Sequence, residues 1–276
     1  MNYRIIPTSE TDLESLLALW NDGDVMRFVG FPEGLGMTLP KMHAWYQQLS
    51  ASRPLRDHFS IYDGDTFCGE SYYAIDVHGY AALDIKLFSA AQSKGLGQLG
   101  LRHAIREAFT QGAHTVWIDP HPDNHKALAL YHRLGFKVTQ RPVHQEDVPD
   151  FVYLQLQKND LSALWAVDEP ELWLDSFPQP LPFEITPTEV KTVMTTFCSS
   201  LAPLKLTPLP AREKSKWILV AAVSRLFADD REYTEKEIMA ILKPINPDPV
   251  MVRRYLVDYR FLWRTKDGSR YGRSKS

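Results

Sequence analysis

Asp84 stands in an otherwise apolar strand candidate, AALDIKLF, where an unpaired carboxylate is costly and so points to a task. That strand runs from Leu83 to Phe88 into the loop SAAQSKGLGQ, and an amphipathic helix opens at about Gly97. A glycine-rich loop at a helix N-terminus aims unsatisfied N–H groups outward beside the positive end of the helix dipole, which suits a pyrophosphate. Gly95 and Gly97 let the backbone approach such a group. The loop is not a Walker motif, since no GK[ST] follows, nor a dinucleotide fingerprint, since GxGxxG is absent. An ordinary strand-to-helix turn has the same composition.

Tyr131 shares a helical face with Ala127 and Leu134, so its hydroxyl points inward, where it could act as an acid or stand as a buried structural tyrosine. Asp119 ends the strand HTVWID and Glu70 lies in a neighbouring strand. They are the second and third candidate carboxylates, and each could equally be a solvated or capping group. His121 and His125 are four apart, but Pro122 and a helix start at Asn124 put them in a loop, and no third ligand is selected by spacing, so no metal is expected. Cys68 and Cys198 belong to no CxxC pair, which argues against a thiolate zinc site or a disulfide framework.

Strands and helices interleave around these residues. DHFSIYDGDTFCGESYYAID reads as a hairpin turned at Asp63-Gly64, and AALDIKLF, HTVWID, FKVT and FVYLQLQ are further strands. One helix carries Leu101, Ala104, Ile105 and Ala108, another Ala127, Leu130, Tyr131 and Leu134, and they stop at Gly112 and Gly135. The pattern predicts an α/β (α+β) fold, a mixed sheet flanked by helices.

The segment Gln92-Ser-Lys-Gly95-Leu-Gly97 resembles the [Q/R]-x-x-G-x-[G/A] motif of the GNAT superfamily of acyl-CoA-dependent N-acetyltransferases. DPHPDNHKALALYHRLGF, residues 119–136, is similar to that family's second block, and its start is especially close to aminoglycoside 6′-N-acetyltransferases. WNDGDVMRFVGFP resembles a feature of ribosomal-protein acetyltransferases, and the likeness spans about residues 1–157. It implies that the amides of Gln92, Ser93, Lys94, Gly95, Leu96 and Gly97 hold the CoA pyrophosphate. Leu87 and Phe88 would pair through their backbone with pantetheine, Asn124 would bond the cofactor arm, and Tyr131 would protonate the departing thiolate. Only a neutral amine attacks a thioester, so the acceptor needs a base, and the resemblance implies Asp84, with Glu70 and Asp119 as further substrate contacts.

Eight of the nineteen prolines fall between Asn159 and Pro210. The expected organisation is an acetyltransferase domain over 1–158, a proline-rich linker over 159–183 and a second domain over 184–276. In that second domain Thr186 with Glu189 and Thr234 with Glu237 form capping boxes, and AREKSKWILVAAVSRLFA reads as an amphipathic helix. Asp248 caps a helix carrying Arg253 and Arg254, and a hairpin turns at Asp267-Gly268. This order is that of a winged helix, with Arg253, Arg254, Lys266, Arg270 and Arg273 as candidate nucleic-acid contacts and a protein-contact module as the alternative. The stretch also resembles an uncharacterised bacterial domain family attached to regulators and to acetyltransferases.

The 276 residues are 44% apolar and 24% charged, which excludes a disordered chain. No apolar run reaches membrane-spanning length and no leader pattern opens the chain, so a cytoplasmic address is expected. Residues 1–204 hold 15 Lys and Arg against 25 Asp and Glu, net −10, and residues 205–276 hold 16 against 9, net +7. That contrast predicts a polycationic amine acceptor, aminoglycoside- or polyamine-like, for the body and an acidic partner for the tail. The expected activity is transfer of acetyl from acetyl-CoA to a primary amine, with no metal. The rival reading is a regulator whose first domain senses an acyl-CoA or another ligand and whose tail binds nucleic acid.

Overall fold

Alternating apolar residues and two glycine-stopped helices build the first part of the chain, and the computed structural model describes residues 3–145, 150–229 and 231–274. The chain divides into two units, Met1–Lys158 and Asn159–Ser276. The first unit runs β1 (Tyr3–Pro7), α1 (Leu13–Trp20), α2 (Gly23–Met26), α3 (Leu39–Ser52), β2 (Arg56–Asp63), β3 (Thr66–Ile75) and β4 (Tyr80–Leu87). It continues with α4 (Leu96–Thr110), β5 (Thr115–Ile118), α5 (His125–Leu134), β6 (Lys137–Val138) and β7 (Leu154–Gln157). These strands form one sheet in the order β1-β2-β3-β4-β5-β7-β6.

Every pairing in that sheet is antiparallel except β4 with β5, which α4 joins by the long crossover a parallel pair requires. The parallel pairing runs only from Tyr80↔Thr115 to Ala82↔Trp117. Beyond Ala82 the strands part, and β4 continues to Leu87 with one edge unpaired.

The predicted stripe Leu101, Ala104, Ile105 and Ala108 buries α4 on the sheet. Gly100 allows the close approach, since a Cβ there would lie 2.6 Å from Ile61 Cδ1 and 2.9 Å from Ile85 Cδ1. The opposite face receives α1 and α3, with Leu13, Leu16, Leu19, Trp20 and Met42 as one buried cluster.

The second unit holds α6 (Ala163–Asp168), α7 (Pro170–Asp175), α8 (Pro187–Phe197), β8 (Cys198–Leu201), β9 (Leu204–Leu206) and α9 (Glu213–Ser224). After them come β10 (Glu232–Thr234), α10 (Glu235–Leu242), α11 (Pro249–Asp258), β11 (Leu262–Arg264) and β12 (Arg270–Arg273). Both capping boxes form, Thr186 with Glu189 and Thr234 with Glu237, and Asp248 accepts from the Met251 N–H at 2.9 Å. β8 pairs with β9, and the other strands make an antiparallel sheet in the order β10-β12-β11.

Two expectations fail in this unit. Residues 159–183, expected as a linker, contain α6 and α7 and bury Trp165 and Trp173. Proline does not prevent this, because Pro170 sits in the first turn of α7, where no N–H is needed. The segment is held by two buried arginines. Arg225 donates to the Asn159 carbonyl and to Ser176, and Arg273 donates to Asp160 at 2.8 Å and to the Asn159 carbonyl at 2.7 Å. Burial, with the Arg273 charge beside it, pulls the Arg225 guanidinium below its usual range. Secondly, α9 is not amphipathic, since every residue from Ser215 to Ser224 is buried. Among the described residues no helix is long and apolar enough to cross a membrane.

Candidate active site

The parting of β4 from β5 leaves a cavity of about 260 Å³. Asp84 and Lys86 from β4, Tyr72 from β3, Trp117 from β5, Asp119, Asn124 from the start of α5 and Tyr131 from its inner face all line it. The expected Asp84 and Tyr131 therefore share one cavity, as do Asp119 and Asn124.

Asp84 is not an isolated carboxylate. Its Oδ2 is ion-paired with Lys86 Nζ and its Oδ1 accepts from the Ile85 N–H at 2.6 Å. Asp84 and Lys86 are two apart, so they lie on one face of the strand, and Lys86 Nζ also stands 3.9 Å from Glu70 Oε1. Burial works against the Lys86 charge, but Asp84 and Glu70 outweigh it and hold the ammonium above its ordinary range.

Glu70 does not line the cavity. It is 1% exposed, accepts from Trp20 Nε1 at 2.5 Å and pairs with His58 Nδ1 at 2.7 Å. Burial raises its pKa, but His58, Lys86 and Trp20 together prevail and hold it below the ordinary value. The expectation of a Glu70 substrate contact is corrected accordingly, because its oxygens face protein donors.

Tyr131 is 4% exposed, and burial, reinforced by Asp84 and Asp119, holds its phenol well above the ordinary range. Burial and the Asp84 charge also push the Tyr72 phenol up, to about 12. Asp119 faces the cavity while accepting from Arg141 Nη2 at 2.9 Å. Asn124 caps α5, its Oδ1 accepting from the Ala127 N–H at 3.2 Å, which leaves its amide NH₂ to donate.

The loop after β4 is shaped by two left-handed residues, Ser93 at φ +62° and Gly95 at φ +84°. Gln92 Nε2 donates to the Leu87 carbonyl at 3.2 Å and ties the loop to the strand end. α4 begins at Leu96, so the amides of its first turn have no partner within the helix. The Leu96 side chain is buried and only its backbone faces outward chemistry. A Cβ at Gly97 would meet Leu130 Cδ2 at 3.3 Å and Leu87 Cδ1 at 3.7 Å, so this glycine serves the packing of α4 on α5 and β4.

The pairing expected of Phe88 does not hold. Its N–H is already spent on the Cys68 carbonyl at 3.0 Å, toward β3. Alternation turns the N–H groups of Ile85 and Leu87 the other way, and since that of Ile85 is spent on Asp84 Oδ1, Leu87 keeps that capacity.

Lys86, Tyr72, Trp117 and Arg141 escaped the sequence reading. Period-two alternation from Asp84 would have marked Lys86 as its companion, whereas Arg141 meets Asp119 across 22 positions with no local signal. His121 lines the cavity beside Phe28 and Phe151, and among the described residues no group of three or more His, Cys, Asp or Glu could hold a metal ion.

Residues 3–137 match the family model described as an acetyltransferase (GNAT) domain. The first unit is a GNAT acetyltransferase domain. Residues 205–273 match a family described as an uncharacterized protein conserved in bacteria (DUF2087). A ribosomal protein bS18-alanine N-acetyltransferase of Salmonella typhimurium is 44% identical to the chain over 45 residues. That match covers 16% of this chain and spans 30% of the relative's length. Similar solved structures include a spermidine N-acetyltransferase from Vibrio cholerae in complex with CoA and spermine, 18% identical over 56% of this chain and 95% of that one, TM-score 0.49. Another is a ribosomal-protein-alanine N-acetyltransferase from Brucella melitensis, 21% identical over 56% and 99%, TM-score 0.47.

In the second unit, two of the five expected nucleic-acid contacts are engaged inside the fold. Arg253 is ion-paired with Glu235, and Arg273 is buried against Asp160, Asp229 and two carbonyls. Arg254, Lys266 and Arg270 are exposed.

Proposed function

We propose that the GNAT unit transfers an acetyl group from acetyl-CoA to a primary amine by direct attack. The observation that carries this reading is the shared cavity, which is lined both by a paired carboxylate, Asp84 of β4, and by a buried phenol, Tyr131 of α5. Amide N–H donors support it: the first-turn amides of α4 and the left-handed Gly95 suit a pyrophosphate, and Asn124 offers two donors to the arm. Asp84 accepts the proton that the ammonium must lose, and the amine nitrogen then bonds the thioester carbonyl carbon. The Leu87 N–H, on the open edge of β4, stabilises the oxyanion. Tyr131 donates its proton to sulfur as the C–S bond breaks and is reprotonated by the second proton that nitrogen loses as the intermediate collapses, so of the two protons the ammonium gives up, one ends on sulfur and the other, taken by Asp84, passes to solvent. Incubating the full chain with labelled acetyl-CoA and a panel of amines tests the reading. Absence of acetyl-CoA binding by calorimetry removes it.

For the second unit we infer a winged-helix-like module, because α9, β10, α10, α11, β11 and β12 follow in that fold's order. A nucleic-acid role then falls to Arg254, Lys266 and Arg270. Fluorescence anisotropy with a duplex at low salt checks it, and no binding at micromolar protein leaves a protein-contact module as the account.

A further inference from the structure

Among the described residues, the cavity carries two carboxylates, and each has a cation of the protein's own beside it. Asp84 has Lys86, and Asp119 has Arg141, whose side chain is itself buried. The aromatic faces that could attract an incoming cation are occupied in the same way. The Arg27 guanidinium sits 4.7 Å from the centre of the Phe28 ring, Arg141 sits 5.3 Å from Trp117, and Lys86 sits 5.9 Å from Tyr72. Beside the polar His121, Asn124 and Tyr131, an apolar stretch of wall is made by Val25, Phe28, Val29, Ile118 and Phe151, with the His121 ring packed against both phenylalanines.

A single ammonium can still be received. A carboxylate offers about four lone-pair sites, and Asp84 spends two of them on Lys86 and the Ile85 N–H. A second or third ammonium on the same molecule would have to displace Arg141 from Asp119 or lie beside Lys86 with its charge uncompensated, and both cost free energy at carboxylates that are largely shielded from water.

We propose that the acceptor is a monocationic primary amine carried on an apolar or aromatic body, not the polycation that the charge of the chain suggests. Lys86 and Arg141 set this specificity by cancelling the negative charge a polyamine would need, and the apolar walls receive the body of the acceptor. The proposal rests on the N-acetyltransferase reading of the same cavity.

The test uses the full chain and measures kcat/KM for phenethylamine and tryptamine against spermidine, kanamycin and a short peptide with an N-terminal alanine, with acetyl-CoA binding followed by calorimetry on the same sample. The two arylalkylamines should exceed both polycations by at least about tenfold, the scale on which one small difference in pocket contacts discriminates. In Arg141→Gln, the spermidine-to-phenethylamine ratio should rise about tenfold, because Asp119 is released. Polycations used as well as or better than the arylalkylamines would overturn the proposal and leave the acetyltransferase reading standing, as would the peptide outrunning both. An unchanged ratio in a folded Arg141→Gln protein would overturn it too. Should that variant fail to fold, the wild-type ratio alone decides. Binding of acetyl-CoA without acetylation of any amine would remove the reading and the proposal together.

Discussion

Tyr131 contributes a single hydroxyl to a cavity whose shape is set by its neighbours, so in the proposed reaction its replacement by phenylalanine removes the proton donor and little else. Tyr131→Phe should lower kcat by about 10²- to 10⁴-fold while the KM for acetyl-CoA changes little, as steady-state kinetics would record. Glu70 acts on stability. Its carboxyl is depressed below the ordinary 4.5 in the folded state, so the stability it contributes is present above about pH 4.5 and is lost as the pH falls through the folded value. Melting temperature should therefore drop steeply below pH 4.5 in the wild type and less steeply in Glu70→Gln, which differential scanning fluorimetry over pH 3–7 would compare. The sequence made Asp84 and Tyr131 legible because a carboxylate in an apolar strand and a tyrosine on an inward stripe both break or obey a local pattern. It left Arg141 dark because an ion pair between a strand end and a distant loop has no local pattern to break, and it misassigned Glu70 because nothing local announces that Trp20 and His58 close over it.

Among the elements, the strand-loop-helix from β4 to α4 was read closely from its sequence, down to the helix opening one residue from the expected Gly97. Gly95 holds that junction at φ +84° in open space, so Gly95→Ala meets no clash but must take up a left-handed conformation. The variant should be less stable by about 1–2 kcal/mol in urea unfolding and should bind acetyl-CoA more weakly, because the first-turn amides lose their aim. The helix α9 and the segment 159–183 were misread for a common reason: whether a helix is covered on one side or on all sides, and whether a proline-rich stretch packs, depends on partners far away in the chain. Arg273 and Asp160 are 113 positions apart. Arg273→Met should strand Asp160 without its guanidinium and cost about 3–5 kcal/mol, seen as an earlier unfolding of the second unit.

At the scale of the whole chain, the charge contrast changes meaning once the two units are known. Met1–Lys158 holds 14 Lys and Arg against 18 Asp and Glu, net −4, and Asn159–Ser276 holds 17 against 16, net +1. The acidic stretch ahead of Lys205 folds into the same unit as the basic stretch after it, so the second unit presents no overall cationic field. Its affinity for a random duplex should accordingly be weak at 150 mM salt and show a shallow salt slope, set by the few exposed arginines and lysines, in an anisotropy titration. The first unit carries a different kind of asymmetry. Past Ala82, β4 presents a row of backbone groups with no strand beside them, and an unprotected sheet edge is a template on which other chains can polymerise. An extended molecule lying in that gap would act as a removable strand. Acetyl-CoA, if it takes that place, should raise the melting temperature as its concentration rises, a protection against heat that differential scanning fluorimetry would record.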